Sequence, residues 1–142
     1  MISYIVDASV VVQHIVSEPH TPNINILFED VGTLIKVYVP EFCLLECTNV
    51  LWKHVRFSGM PEEIAKDLLA DLMAVDLTVV PVIGLMPRAL EIGLKHQLAI
   101  YDSLYIALAE NLKYPLITDD ARQAKVANSE GIALKPIIEY RP

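Results

Sequence analysis

Basic side chains are in short supply: the 142 residues hold 11 Lys and Arg against 18 Asp and Glu, a formal charge of −7. That balance argues against a general phosphate-seeking surface, because unspecific nucleic-acid binding depends on Lys and Arg displacing counterions. Glycine is scarce too, with five residues, and beside a 54% hydrophobic content this excludes a collagen-like or disordered chain. The two cysteines, Cys43 and Cys47, are too few for a disulfide framework or a four-ligand zinc site and read as buried thiols. No apolar run reaches the roughly 18 residues of a membrane span. No basic stretch precedes the apolar start, since the first Lys or Arg is Lys36. The expectation is a cytoplasmic single domain over 1–142, with no targeting segment and no membrane contact.

What is present is alternation. Residues 2 to 6 are β-rich and stop at Asp7, and Ser9 to Ile15 continue as the start of a buried helix. Thr21 followed by Pro22 signals a helix over about 22 to 31, with Ile24, Leu27, Phe28 and Val31 at helical spacing. A strand over 34 to 39 is closed by Pro40, a helix over 41 to 57 ends at Ser58-Gly59, and Pro61 opens another over 61 to 75. A strand at 77 to 82, helices at 86 to 97 and 102 to 113, a strand at 116 to 118 and a helix at 121 to 129 follow. Residues 132 to 138 read as a last strand interrupted by Pro136. This order predicts an α/β fold, a three-layer α/β/α sandwich around a mostly parallel sheet of four to five strands.

In open α/β sheets ligands lie beyond the carboxyl ends of the strands. Asp7 holds that position after the first strand, and Asp119 and Asp120 hold it after Leu116-Ile117-Thr118. Asp102 stands at the start of a helix that is apolar nearly all round, and Glu46 shares a stripe with Asn49 and Lys53 at i, i+3 and i+7. Each acid alone has a structural reading, as a helix N-cap for the three aspartate positions and as part of a surface stripe for Glu46. Together they are like charges that would raise one another's pKa, so a cluster of them implies a cation. Oxygen ligands favour Mg²⁺ or Mn²⁺ over zinc. His14, His20, His54 and His96 show no ligand spacing, no nucleophile triad is present, and Gly84 and Gly93 form no phosphate loop.

Four pieces of the chain, Val6-Asp7-Ala8-Ser9-Val10, Glu46-Cys47-Thr48-Asn49-Val50-Leu51, Tyr101-Asp102-Ser103-Leu104-Tyr105-Ile106-Ala107-Leu108-Ala109 and Leu116-Ile117-Thr118-Asp119-Asp120, resemble in that order the PIN-domain nucleases. Within that family they are similar to the small VapC-type ribonuclease toxins. The resemblance implies that Asp7, Glu46, Asp102 and Asp120 hold Mg²⁺ or Mn²⁺, with Ser9, Asn49 and Thr118 as supporting or water-binding groups. Asp119 fills a place usually given to a small or neutral residue, which leaves the fourth acid open between two neighbours. Implied with the site are metal-assisted hydrolysis of RNA phosphodiester bonds, a homodimer, and an antitoxin that offers an Arg or Lys to the acids. Candidate dimer elements are the helices at 22 to 31 and 61 to 75, and candidate substrate contacts are Lys53, Arg56, Arg88, Lys95, Arg122 and Lys125.

Two other readings compete. A phosphate-accepting receiver or haloacid-dehalogenase domain also uses an Asp after its first strand. Receivers need an acidic pair there and dehalogenases an Asp-x-Asp, whereas this chain has Asp7-Ala8-Ser9. A non-catalytic PIN-like module binding RNA or protein would keep the core and lose acids, and all four are retained. If they are ligands, four of the seven excess negative charges belong to the site, and acidity no longer excludes RNA.

Overall fold

The computed structural model describes residues 1–16 and 21–140, so His20 lies outside the described residues. The opening run forms β1 (Ile2–Val6), and the carboxylate that follows it starts α1 (Ala8–Ile15). Then come α2 (Thr21–Asp30), β2 (Ile35–Pro40), α3 (Glu41–Ser58), α4 (Glu62–Ala74), β3 (Thr78–Val80), α5 (Met86–His96), α6 (Ile100–Leu112), β4 (Leu116–Ile117) and α7 (Ala121–Ser129).

The four strands form one parallel sheet in the order β3-β2-β1-β4. In the register of the central pair Ile2 faces Ile35 and Tyr4 faces Val37, while Ile5 and Val6 pair with Leu116 and Ile117. Tyr4, Ile5, Val6, Leu116 and Ile117 are all buried. They read as continuous apolar runs because a parallel sheet is covered on both faces. The covering layers separate by sequence: α1 packs with α2, α3 and α4, and α6 packs with α5, α7 and the central strand. Helix α6 is buried continuously from Ser103 to Ala109. Its start lies close to α5 because residue 93 is glycine: a Cβ there would stand 2.9 Å from the Leu98 carbonyl oxygen.

The strand expected over 132 to 138 is not formed. Leu134 makes a single bridge to Leu116, and a 3-10 turn at Ile137–Glu139 follows Pro136. Strand β4 is only two residues long, so it offers one rung to a neighbour, and Pro136 has no N–H with which to extend the ladder. The segment is used otherwise: Ile137 and Tyr140 are buried, and the Tyr140 hydroxyl donates to the Asp30 carboxylate at the end of α2. Cys43 and Cys47 are buried free thiols, and no helix among the described residues is long and apolar enough to cross a membrane.

Candidate active site

The parallel register of β1 and β4 sets the site. Because Val6 pairs with Ile117, the next residues, Asp7 and Thr118, leave the sheet side by side, and the Asp7 N–H donates to the Ile117 carbonyl at 3.2 Å. Thr118 Oγ1 donates to Asp7 Oδ2 at 2.7 Å, and Ser9 Oγ donates to Asp7 Oδ1 at 2.7 Å. Both hydroxyls accept in turn: Ser9 Oγ from the Asp119 N–H and Thr118 Oγ1 from the Asp120 N–H, each at 3.0 Å. Asp7 is 4% exposed, and burial pushes its carboxyl up to about 7 against the lowering effect of these bonds, with the Asp120 charge adding to the rise.

Capping is part of the geometry. Asp7 caps α1 through the Val10 N–H, and Asp120 caps α7 through the Gln123 N–H at 2.9 Å. Asp102 caps nothing: α6 begins at Ile100, which places this carboxylate in the first turn behind Ala99. Its carboxyl is raised first by burial and then by the Asp120 charge, with Arg122 opposing. Glu46 is half-buried on α3, and Tyr105 OH from α6 donates to its Oε1 at 3.3 Å. Burial raises Glu46, the tyrosine bond opposes, and the Asp102 charge raises it further. The four acids therefore form a chain of like charges, Asp7 with Asp120, Asp120 with Asp102, and Asp102 with Glu46. Among the described residues no three His, Cys, Asp or Glu side chains already stand as an ion-enclosing group. The donor set itself fits a hard divalent cation, being all carboxylate, partly desolvated and mutually repelling.

Asp119 and Asp120 part company here. Gln13 Nε2 on α1 donates to Asp119 Oδ2 at 2.8 Å, whereas Asp120 is the neighbour whose charge acts on Asp7 and Asp102. Asn49 is exposed on α3, and Glu46 makes no ion pair with Lys53. His14 stacks on Phe28, and His96 bonds Glu130, so both serve packing and surface structure.

Three participants went unread in the sequence: Gln13, Tyr105 and Gln123. Gln123 is fully buried, and its Nε2 donates to the Asp102 carbonyl at 3.1 Å while its backbone N–H binds the Asp120 carboxylate. Its Oε1 has no partner among the described residues. The Asp120-x-x-Gln123 spacing of a capping box is the one sequence signal that flags it.

A sheet of this order with acids at the ends of β1 and β4 and on two facing helices defines a class, and the chain belongs to the PIN domain family, whose model matches residues 4–129. Its relatives include Ribonuclease VapC3 of Pyrobaculum aerophilum, 30% identical over 92 residues that make up 63% of this chain and 70% of that protein. The fold is shared with PAE2754 from the same organism, with a TM-score of 0.73 at 18% identity over 96% of this chain and 90% of that one. It is shared as well with VapBC2 from Rickettsia felis, solved bound to a DNA fragment from its promoter, with a TM-score of 0.69 at 13% identity over 95% and 98%.

Proposed function

We propose that this chain is a metal-dependent endoribonuclease of the VapC type, in which Asp7, Glu46, Asp102 and Asp120 hold Mg²⁺ or Mn²⁺ and RNA phosphodiester bonds are hydrolysed beside them. The observation that carries the reading is the line of like-charged carboxylates, three of them with raised pKa values, at the ends of β1 and β4 and on α3 and α6. Carboxylates held so in a partly dry site are destabilised until a cation offsets them. When bound, such an ion supplies water activation and stabilises charge on the phosphoryl oxygens. The chain's own groups do the positioning. Ser9 and Thr118 fix both oxygens of Asp7, Tyr105 holds one oxygen of Glu46, and Gln123 ties the Asp102 turn to the Asp120 cap.

The toxin reading rests on the relationship to the VapC ribonuclease and brings two partners. A homodimer is supported by the apolar strip of Met86, Leu90 and Leu94 along α5, which is half-exposed or more. Helix α2, by contrast, spends Ile24, Leu27 and Phe28 on the core. An antitoxin would offer a cation to the acids, a charge-assisted contact.

Cleavage of a panel of RNAs with Mn²⁺ or Mg²⁺ by wild type, Asp7→Asn and Asp102→Asn tests the proposal. The expected result is metal-dependent cleavage by the wild type alone. Equal cleavage by all three, or none by the wild type, removes it, and Mn²⁺ titration of the same proteins then separates an inactive binder from an enzyme lacking its substrate.

A further inference from the structure

Only some of the basic residues are held by neighbours. Arg88 spans Glu110 and Glu130, Lys95 pairs with Glu130, Lys66 with Glu62 and Glu63, and Arg122 donates to the Gln97 carbonyl. Lys36, Lys53, Arg56, Lys113, Lys125 and Lys135 have no carboxylate partner among the described residues, and of these Lys53 and Arg56 stand together on one face of a single helix, α3. They share that helix with Glu46: positions 46, 49, 53, 56 and 57 fall within one stripe at 3.6 residues per turn. At its far end Arg56 lies over the Phe57 ring at 5.3 Å, and Phe57 stands edge-on to Trp52, both rings being more than half exposed.

Between α1 and α3 the same stripe borders a cavity of about 400 Å³, lined by Ser9, Val12, Glu46, Asn49, Val50 and Lys53. It is continuous with the acids, because Glu46 is one of them and Ser9 is bonded to Asp7. Its volume falls in the range of small-ligand sites, and its lining joins two valines to the Glu46 carboxylate, the Lys53 ammonium and two amides, of which Gln13 already donates to the Ser9 carbonyl and to Asp119.

We propose that this cleft receives the nucleotide adjoining the scissile phosphate of a single-stranded RNA, and that Asn49 is the residue that selects its base. The inference rests on the nuclease reading. The base lies against Val12 and Val50, the Asn49 amide, one donor and one acceptor, meets its edge, and Lys53 takes the neighbouring phosphate. Beyond it the strand runs on over Arg56 and the Phe57 and Trp52 rings, a cationic and aromatic surface of the kind on which unpaired bases stack. A duplex would keep its bases stacked and present neither face to the valines. A protein segment would match Lys53 and Arg56 only if it were acidic, whereas an RNA strand brings both the phosphates for these cations and the flat bases for the Phe57 and Trp52 rings.

The test is cleavage of a randomised single-stranded RNA library in Mn²⁺, with the product ends sequenced, by wild type, Asn49→Ala and Lys53→Gln. Asn49→Ala is expected to flatten a base preference of about tenfold at one position beside the cut and to leave the other positions unchanged. A uniform loss of rate with the preference intact assigns Asn49 to ordering water at the acids and overturns the proposal. In the Asp102→Asn background, Lys53→Gln is expected to make the plot of log affinity for RNA against log salt shallower by about 0.7. An unchanged slope overturns the phosphate contact. If the wild type cleaves nothing, the nuclease reading falls and this one with it. If it cleaves and neither the preference nor the slope moves, the cleft alone is refuted, and loss of a co-purifying protein under the same substitutions would mark it as a protein surface instead.

Discussion

Gln13 Nε2 donates to the Asp119 carboxylate at 2.8 Å, joining α1 to the turn after β4 between residues 106 positions apart. The same amide holds the Ser9 carbonyl, so the bond also braces the hydroxyl that steadies Asp7. Asp119 is thereby engaged on the α1 side of the turn, while the Asp120 charge is felt by Asp7 and Asp102.

Asp120→Asn is accordingly expected to lower Mn²⁺ affinity by about 100-fold or more, since even outer groups of metal sites are worth about 10–100-fold. Asp119→Asn should change it by less than about tenfold, through a loosened Gln13 contact. Calorimetric titration of the two variants decides the matter, and the reverse order of effects would make Asp119 the fourth ligand.

Asp7 contributes a pH dependence of its own to the stability of the metal-free protein. Its carboxyl rises from 3.8 to about 7 on folding, so the unfolded chain ionises first. Stability is then greatest below pH 4 as far as this group is concerned, and falls as pH rises to about 7, by about 4 kcal/mol at most. Asp7→Asn should remove that slope and raise the metal-free melting temperature at neutral pH, the Ser9 and Thr118 hydroxyls turning to suit the amide. Mn²⁺ binding to the wild type at pH 7 should release roughly half a proton from this group, seen as a dependence of binding heat on buffer ionisation. A melting temperature lowered by the substitution, with no proton released, would contradict this account.

Gln123 connects two of the acids through one buried side chain. Replacing it with Leu deletes a bond to the Asp102 carbonyl but also a buried oxygen without a partner, so the net change in stability should stay within about 1 kcal/mol. Metal affinity should nevertheless drop about tenfold, because the Asp102 turn loses its tie to the Asp120 cap. Denaturant melts and Mn²⁺ titrations measure the two separately, and equal losses in both would reduce Gln123 to a packing residue.

Away from the site, Glu130 gathers Arg88, Lys95 and His96, with a 2.6 Å contact to the histidine ring. These partners hold its carboxyl down at about 2. A depressed acid contributes stability that is full above the unfolded value of 4.5 and is lost as pH falls toward 2. Glu130→Gln is expected to cost about 1–3 kcal/mol at pH 7, less than for a fully buried pair because Lys95 is exposed, and to flatten the acid side of the stability curve. Thermal melts from pH 2 to 7 would show it, and parallel curves for the two proteins would exclude it.

Much of this is legible in the residues alone. The apolar runs of β1 and β4, the Pro40 and Gly59 boundaries of α3 and the all-round apolar α6 are local signals, and each element forms within a few residues of where its pattern places it. The strand expected over 132 to 138 does not form although Ile132, Leu134 and Ile137 carry the right residue types, because pairing also needs a long enough neighbour, and β4 has two residues. Gln13 and Gln123 were illegible because a polar amide in an amphipathic helix reads as surface until its distant partner is known.

By itself the sequence determined the alternation of strands and helices and the isolation of its acids at strand ends and on two helices, since hydrophobic period and turn residues act over short range. Only the tertiary structure decided which of those acids share a field. The parallel register that seats Asp7 beside Thr118, the Tyr105 bond that ties α6 to Glu46 on α3, and the bond that draws Asp119 toward α1 are contacts between residues far apart in the chain. Such contacts depend on how already-formed elements pack, and no local propensity encodes them.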